Sequence, residues 1–141
     1  MEKIELSFWG RGSLDRISYP IYEVVLKMDE NGKYASMEIN DYDNCPDEIK
    51  EKCERSMPVE LPKRVMKAFT ESSISKILSK DEIPNESGMM VLDGYDYTIV
   101  ISKGDLTKEY YADDCSIETY PLLRYLASWY RRERWDYEIR V

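Results

Sequence analysis

Apolar and polar residues alternate from the start of the chain. Ile4, Leu6 and Phe8 interleave with Lys3, Glu5, Ser7 and Trp9, the period-two pattern of a half-buried strand that ends at Gly10-Arg11-Gly12. A second alternation runs through Tyr22, Val24, Leu26 and Met28. The turn Glu30-Asn31-Gly32 follows it, and Ala35, Met37 and Ile39 resume the pattern, which predicts a hairpin because Asn-Gly favours the turn that matches strand twist. Asn44 or Cys45 is placed to cap a short helix with Pro46 at its first position and Asp47 and Glu48 in its first turn. From Pro62 onward the spacing changes to three and four: Val65, Met66, Phe69, Ile74, Ile77 and Leu78 mark one helical face. Thr70-Glu71-Ser72-Ser73 interrupts it with poor helix formers, so a kink or break is expected there.

Downstream, residues 83–88 read as a loop. Residues 89–92, the turn Asp93-Gly94, residues 95–102, the turn Lys103-Gly104-Asp105 and residues 106–112 read as a three-stranded antiparallel meander. Thr119 and Pro121 are placed to open a last helix with Leu122, Leu123, Leu126 and Tyr130 toward the core. Trp135, Tyr137, Ile139 and Val141 then alternate with polar residues as a closing strand would. Hairpins interleaved with helices predict an α+β fold. The expected architecture is an antiparallel sheet of about five to six strands, in two hairpin or meander units, with two to three helices on one face. At 141 residues the chain fits a single domain spanning 1–141.

Charge narrows the function. A net charge of -8 with a pI near 4.7 argues against direct binding to nucleic acid or to an anionic membrane surface, both of which call for a basic face. No apolar run reaches the length of a membrane span, and Met1-Glu2-Lys3-Ile4-Glu5 lacks the apolar stretch of a secretory leader, so the cytoplasm is the expected location. Three Cys with no Cys-x-x-Cys pair fit reduced thiols better than a disulfide framework.

The chain has no His, which removes Ser-His and Cys-His nucleophilic catalysis and the usual general base. Ser73-Ile74-Ser75-Lys76 matches the Ser-x-x-Lys spacing of acyl-serine enzymes, but companion motifs are lacking and it reads as helix surface. Asp41, Asp43 and Asp47 have the look of calcium-loop ligands, yet Cys45 and Pro46 occupy positions that such a loop assigns to a ligand and a glycine. No cofactor is implied.

The informative feature is the coincidence of acids and tyrosines. Residues 38–48 hold five acids, no base and Tyr42. Residues 106–118 hold Glu109, Asp113, Asp114 and Glu118 around Tyr110 and Tyr111, with Lys108 alone opposing them, and Asp93, Tyr95, Asp96 and Tyr97 form a third cluster. Residues 120–141 carry five Arg against three acids, which leaves residues 1–119 at -10. Tyrosine delivers contact area and a hydrogen bond at small entropic cost, and carboxylates around it steer a basic partner.

The expected function is a non-enzymatic, inhibitor-type binding protein. Asp41, Tyr42, Asp43, Tyr110, Tyr111, Asp113 and Asp114 would meet a basic protein partner, such as a nucleic-acid-binding enzyme. In composition the chain is similar to bacterial toxin-immunity proteins and phage-encoded inhibitors, a resemblance that covers no aligned segment and assigns no residue a role. Two other classes compete with this reading: a carboxylate-dependent, divalent-metal-assisted enzyme using the same acids, and a homo-oligomer that pairs exposed strand edges. Tyrosines packing the sheet while acids keep the chain soluble would produce the same pattern with no site at all.

Overall fold

The computed structural model describes residues 2–12, 23–32, 61–84 and 95–140. Within them the fold is α+β, built on a four-stranded antiparallel sheet ordered β2-β1-β3-β4. The strands are β1 (Ile4–Gly12), β2 (Val24–Met28), β3 (Tyr95–Lys103) and β4 (Leu106–Asp113). Three α-helices accompany them: α1 (Lys63–Ala68), α2 (Glu71–Leu78) and α3 (Pro121–Arg140).

Alternation along each strand divides the sheet into two faces. Ile4, Leu6, Phe8, Leu26, Ile99, Ile101 and Tyr110 are at or near zero exposure on the inner face, where the helices add Val65, Ile74, Ile77, Leu122, Leu123, Leu126 and Tyr130. Each large aliphatic group so buried contributes about 1.5–3 kcal/mol. Phe8 stacks on Tyr97 at 5.2 Å and meets Tyr130 edge-on at 5.9 Å, which fastens α3 across β1. The Tyr130 hydroxyl donates to the Gly10 carbonyl at 2.5 Å.

Between α1 and α2 the helical face breaks as expected. Thr70 takes extended angles and its Oγ1 accepts from the Ser73 N–H at 3.1 Å, so the interruption is a cap that starts a new helix. Gly104, at φ +58°, makes the tight β3–β4 turn.

Three expectations change. The neighbours of β3 are β1, paired over nine residues, and β4, so β1 takes the edge that the meander assigned to residues 89–92. That long-range pairing has no local sequence signal. The closing strand is instead the last turns of α3: neither Gly nor Pro interrupts residues 122–140, and its Arg and Glu are good helix formers. Thr119 does not cap α3. It ends a 3₁₀ turn, Ser116–Thr119, and the Tyr120 carbonyl takes the first helical bond from the Arg124 N–H. The expected five to six strands are four among the described residues. The second strand of the Asn31-Gly32 hairpin, the helix near Pro46 and residues 89–92 lie outside those residues. None of the described helices is long and apolar enough to cross a membrane.

Candidate partner-binding face

The strand positions on the side of the sheet away from the helices form cross-strand rows. Trp9, Thr98 and Tyr111 are register partners across β1, β3 and β4. One row toward the sheet end lie Arg11, Asp96 and Asp113, and one row back lie Ser7, Val100 and Glu109. Together with the 3₁₀ turn these rows line a shallow open groove of about 630 Å³ whose charged lining residues, among the described residues, are Asp96, Glu109 and Asp113. Thr98 forms its floor at 8% exposure, while Tyr111, at 68%, stands clear of it.

Lys108 does not neutralise this face. As an inner-face residue of β4 it reaches the C-terminus of α2, where its ammonium donates to the Leu78 carbonyl at 3.0 Å and to the Lys80 carbonyl at 3.4 Å. Cations are favoured at that end of a helix because its last carbonyls lack partners. The acids of the groove are thus left with one base in their rows, at the Arg11 position.

Asp96 and Asp113 are direct cross-strand partners. Like charges in that relation repel, which gives the pair a local preference for a cation, and Arg11 holds the register position on the other side of Asp96. Asp113 is also anchored: its Oδ1 accepts from the Ser116 N–H at 2.8 Å and from the Ser116 hydroxyl at 2.9 Å, which closes the turn after β4. Glu109 lies two residues before Tyr111 on the same side of β4. Its carboxylate stands beside the Tyr111 phenol and raises the phenol's pKa.

The expected site residues separate accordingly. Tyr111 and Asp113 belong to the groove. Tyr110 is a correction: adjacent strand residues point to opposite faces, and its ring is buried against α2, with the hydroxyl donating to the Lys80 carbonyl at 2.9 Å and the Ile77 carbonyl at 3.2 Å. Burial raises its pKa. Asp114 lies past the end of β4 and has structural partners. It accepts from the Tyr95 N–H at 2.9 Å and the Tyr97 hydroxyl at 2.8 Å, and its Oδ1 is 3.8 Å from the Arg131 guanidinium. Asp41, Tyr42 and Asp43 lie outside the described residues, as do Cys45 and Cys53. Cys115 is a free thiol at the start of the 3₁₀ turn.

Trp9, Asp96, Thr98 and Glu109 enter the site from the structure. The available signals were Trp9 itself, a large aromatic at the polar phase of the β1 alternation, and the places of Asp96 and Glu109 in the clusters of acids and tyrosines. Among the described residues no group of three or more potential ligands gathers around a metal position. Comparison with known proteins finds no matching family model, no similar curated protein and no similar solved structure.

Proposed function

We propose that this protein is a binding protein that presents the outer face of its sheet to a basic surface on a protein partner. The observation that carries the reading is the groove around Tyr111: an exposed phenol and a half-buried indole share a concave face with three carboxylates, two of them directly opposed across the ladder. A cationic group arriving there relieves the repulsion and covers aromatic surface in the same step, and the net negative charge of the chain accelerates its approach. Occluding the basic site of a nucleic-acid-binding enzyme is one way to use such a surface, in keeping with the similarity in composition to immunity proteins and phage inhibitors.

The test is a comparison of two charge-matched double variants. Titration of an arginine- and lysine-containing peptide into Asp96→Asn/Glu109→Gln should give an affinity at least about tenfold below that of the native chain, with the difference shrinking as salt shortens the Debye length below about 8–10 Å. Glu82→Gln/Asp105→Asn, which removes two exposed acids away from the groove, should lose less than about threefold. Equal losses in the two variants would mean that the peptide senses net charge alone, and the reading would be abandoned.

A further inference from the structure

The row Trp9–Thr98–Tyr111 points to the chemistry of the group that enters the groove. Trp9 and Tyr111 stand on β1 and β4, two strand spacings apart, with Thr98 of β3 between them. Two spacings of about 4.8 Å set their backbones roughly 9.6 Å apart. Two rings that sandwich one planar group in van der Waals contact need about 7–8 Å between them, so side chains leaning modestly toward each other over a small floor residue would accept a single planar layer. Thr98 is that floor, recessed below Tyr111. Asp96 and Asp113, in the row that also holds the Arg11 position, flank one side of the slot and Glu109 the other, which supplies hydrogen-bond acceptors around the rim of a planar donor.

We propose that the slot between Trp9 and Tyr111 takes an arginine side chain of the partner, its guanidinium layered between the two rings and its N–H groups directed to the surrounding carboxylates. The proposal rests on the docking reading above and makes it specific. A guanidinium satisfies all three features at once: it is planar, it is cationic, and it carries five donors in a plane. A lysine ammonium meets the charge and has no flat face to stack. A nucleobase meets the planarity, and its phosphates are opposed by the acids.

The probe is a set of nine-residue peptides identical except for a central arginine, lysine or citrulline, titrated by calorimetry at low and at high salt into the native chain, Tyr111→Leu and Tyr111→Phe. Tyr111 is the safe position, being 68% exposed. The native chain is expected to favour arginine over lysine by about three- to tenfold, because both cations are attracted to the rings but only the planar guanidinium can stack and hydrogen-bond in its plane at once, and to bind citrulline more weakly than either. Tyr111→Phe should keep the preference and Tyr111→Leu should erase it. An arginine preference that survives Tyr111→Leu overturns the slot. Equal binding of arginine and lysine peptides, both weakened by Asp96→Asn/Glu109→Gln, overturns the slot while leaving an acidic docking face. Failure of every cationic peptide to bind removes the docking reading and the slot with it.

Discussion

Gly10→Ala isolates the contact on which the inner side of β1 is built. The residue is in a strand and its φ is not positive, so an alanine there meets no conformational penalty and, by reducing the freedom of the unfolded chain, would stabilise by about 0.4–1 kcal/mol if space allowed. Space does not allow it. A Cβ on Gly10 would lie 2.7 Å from Tyr97 Cδ1 and 2.9 Å from Cε1. The ring cannot swing aside, because Phe8 stacks on it at 5.2 Å, Tyr95 stacks on it at 6.0 Å, and its hydroxyl is tied to Asp114. Overpacking of this kind costs about 1–3 kcal/mol, which outweighs the entropic gain and leaves a net loss of about 1–2 kcal/mol. With a urea m-value of about 2 kcal/mol/M the midpoint should fall by roughly 0.5–1 M. In a Tyr97→Ala background the same substitution should lose most of its cost, because the obstructing ring is gone and only the Asp96 carbonyl, 3.3 Å from the new Cβ, remains close. A Gly10→Ala midpoint equal to or above the native one, or the same loss in both backgrounds, would refute the close approach of Tyr97 to Gly10.

Further outcomes follow from particular contacts. Lys108→Met should cost about 1–2 kcal/mol in urea denaturation by leaving the α2 carbonyls unpaired, whereas Asp81→Ala, which removes a fully exposed partner of the same ammonium, should stay within about 0.5 kcal/mol. Asp96→Asn should weaken capture of a basic peptide and leave the thermal midpoint within about 2–3 °C, because Asp96 lies between Asp113 and Arg11 and loses one unfavourable and one favourable cross-strand relation together. Burial raises the pKa of Tyr97 and Tyr110, so the folded chain holds their protons where the unfolded chain releases them. Stability should therefore be flat below the ordinary tyrosine value of about 10 and fall as pH rises beyond it, and phenolate absorbance should show these two rings ionising together with unfolding. Tyr97→Phe should soften that decline.

The parts of the fold written in local alternation were legible before any coordinates. β1, β3 and β4, the Gly104 turn and the break at Thr70 each depend on residues within a few positions of one another, and each stands where its pattern put it. The insertion of β1 between β2 and β3 depends on pairing residues some 90 positions apart, and alternation alone does not choose among neighbours with similar apolar faces. The C-terminal residues show how a period-two reading misleads: Trp135, Tyr137 and Ile139 alternate with polar residues, yet a continuous run without Gly or Pro carries the helix through them. At the site, composition brought Tyr110 and Tyr111 together, but the geometry of a strand separates them to opposite faces. The same geometry brings Trp9 beside Tyr111 across two strands, a neighbour that proximity in sequence conceals. Asp113 and Asp114 also carry structural bonds, so substitutions there would perturb folding and binding together, and Asp96 and Glu109 are the cleaner probes.

Amide resonances of the isotopically labelled chain, followed by NMR as an arginine-containing basic peptide is added, test the docking face most directly. Saturable shifts concentrated at Trp9, Asp96, Thr98, Glu109 and Tyr111, with α1 and α2 unmoved, are the predicted result. Shifts that spread over acids throughout the chain, or that leave the Trp9–Thr98–Tyr111 row unchanged while the peptide binds elsewhere, would contradict it.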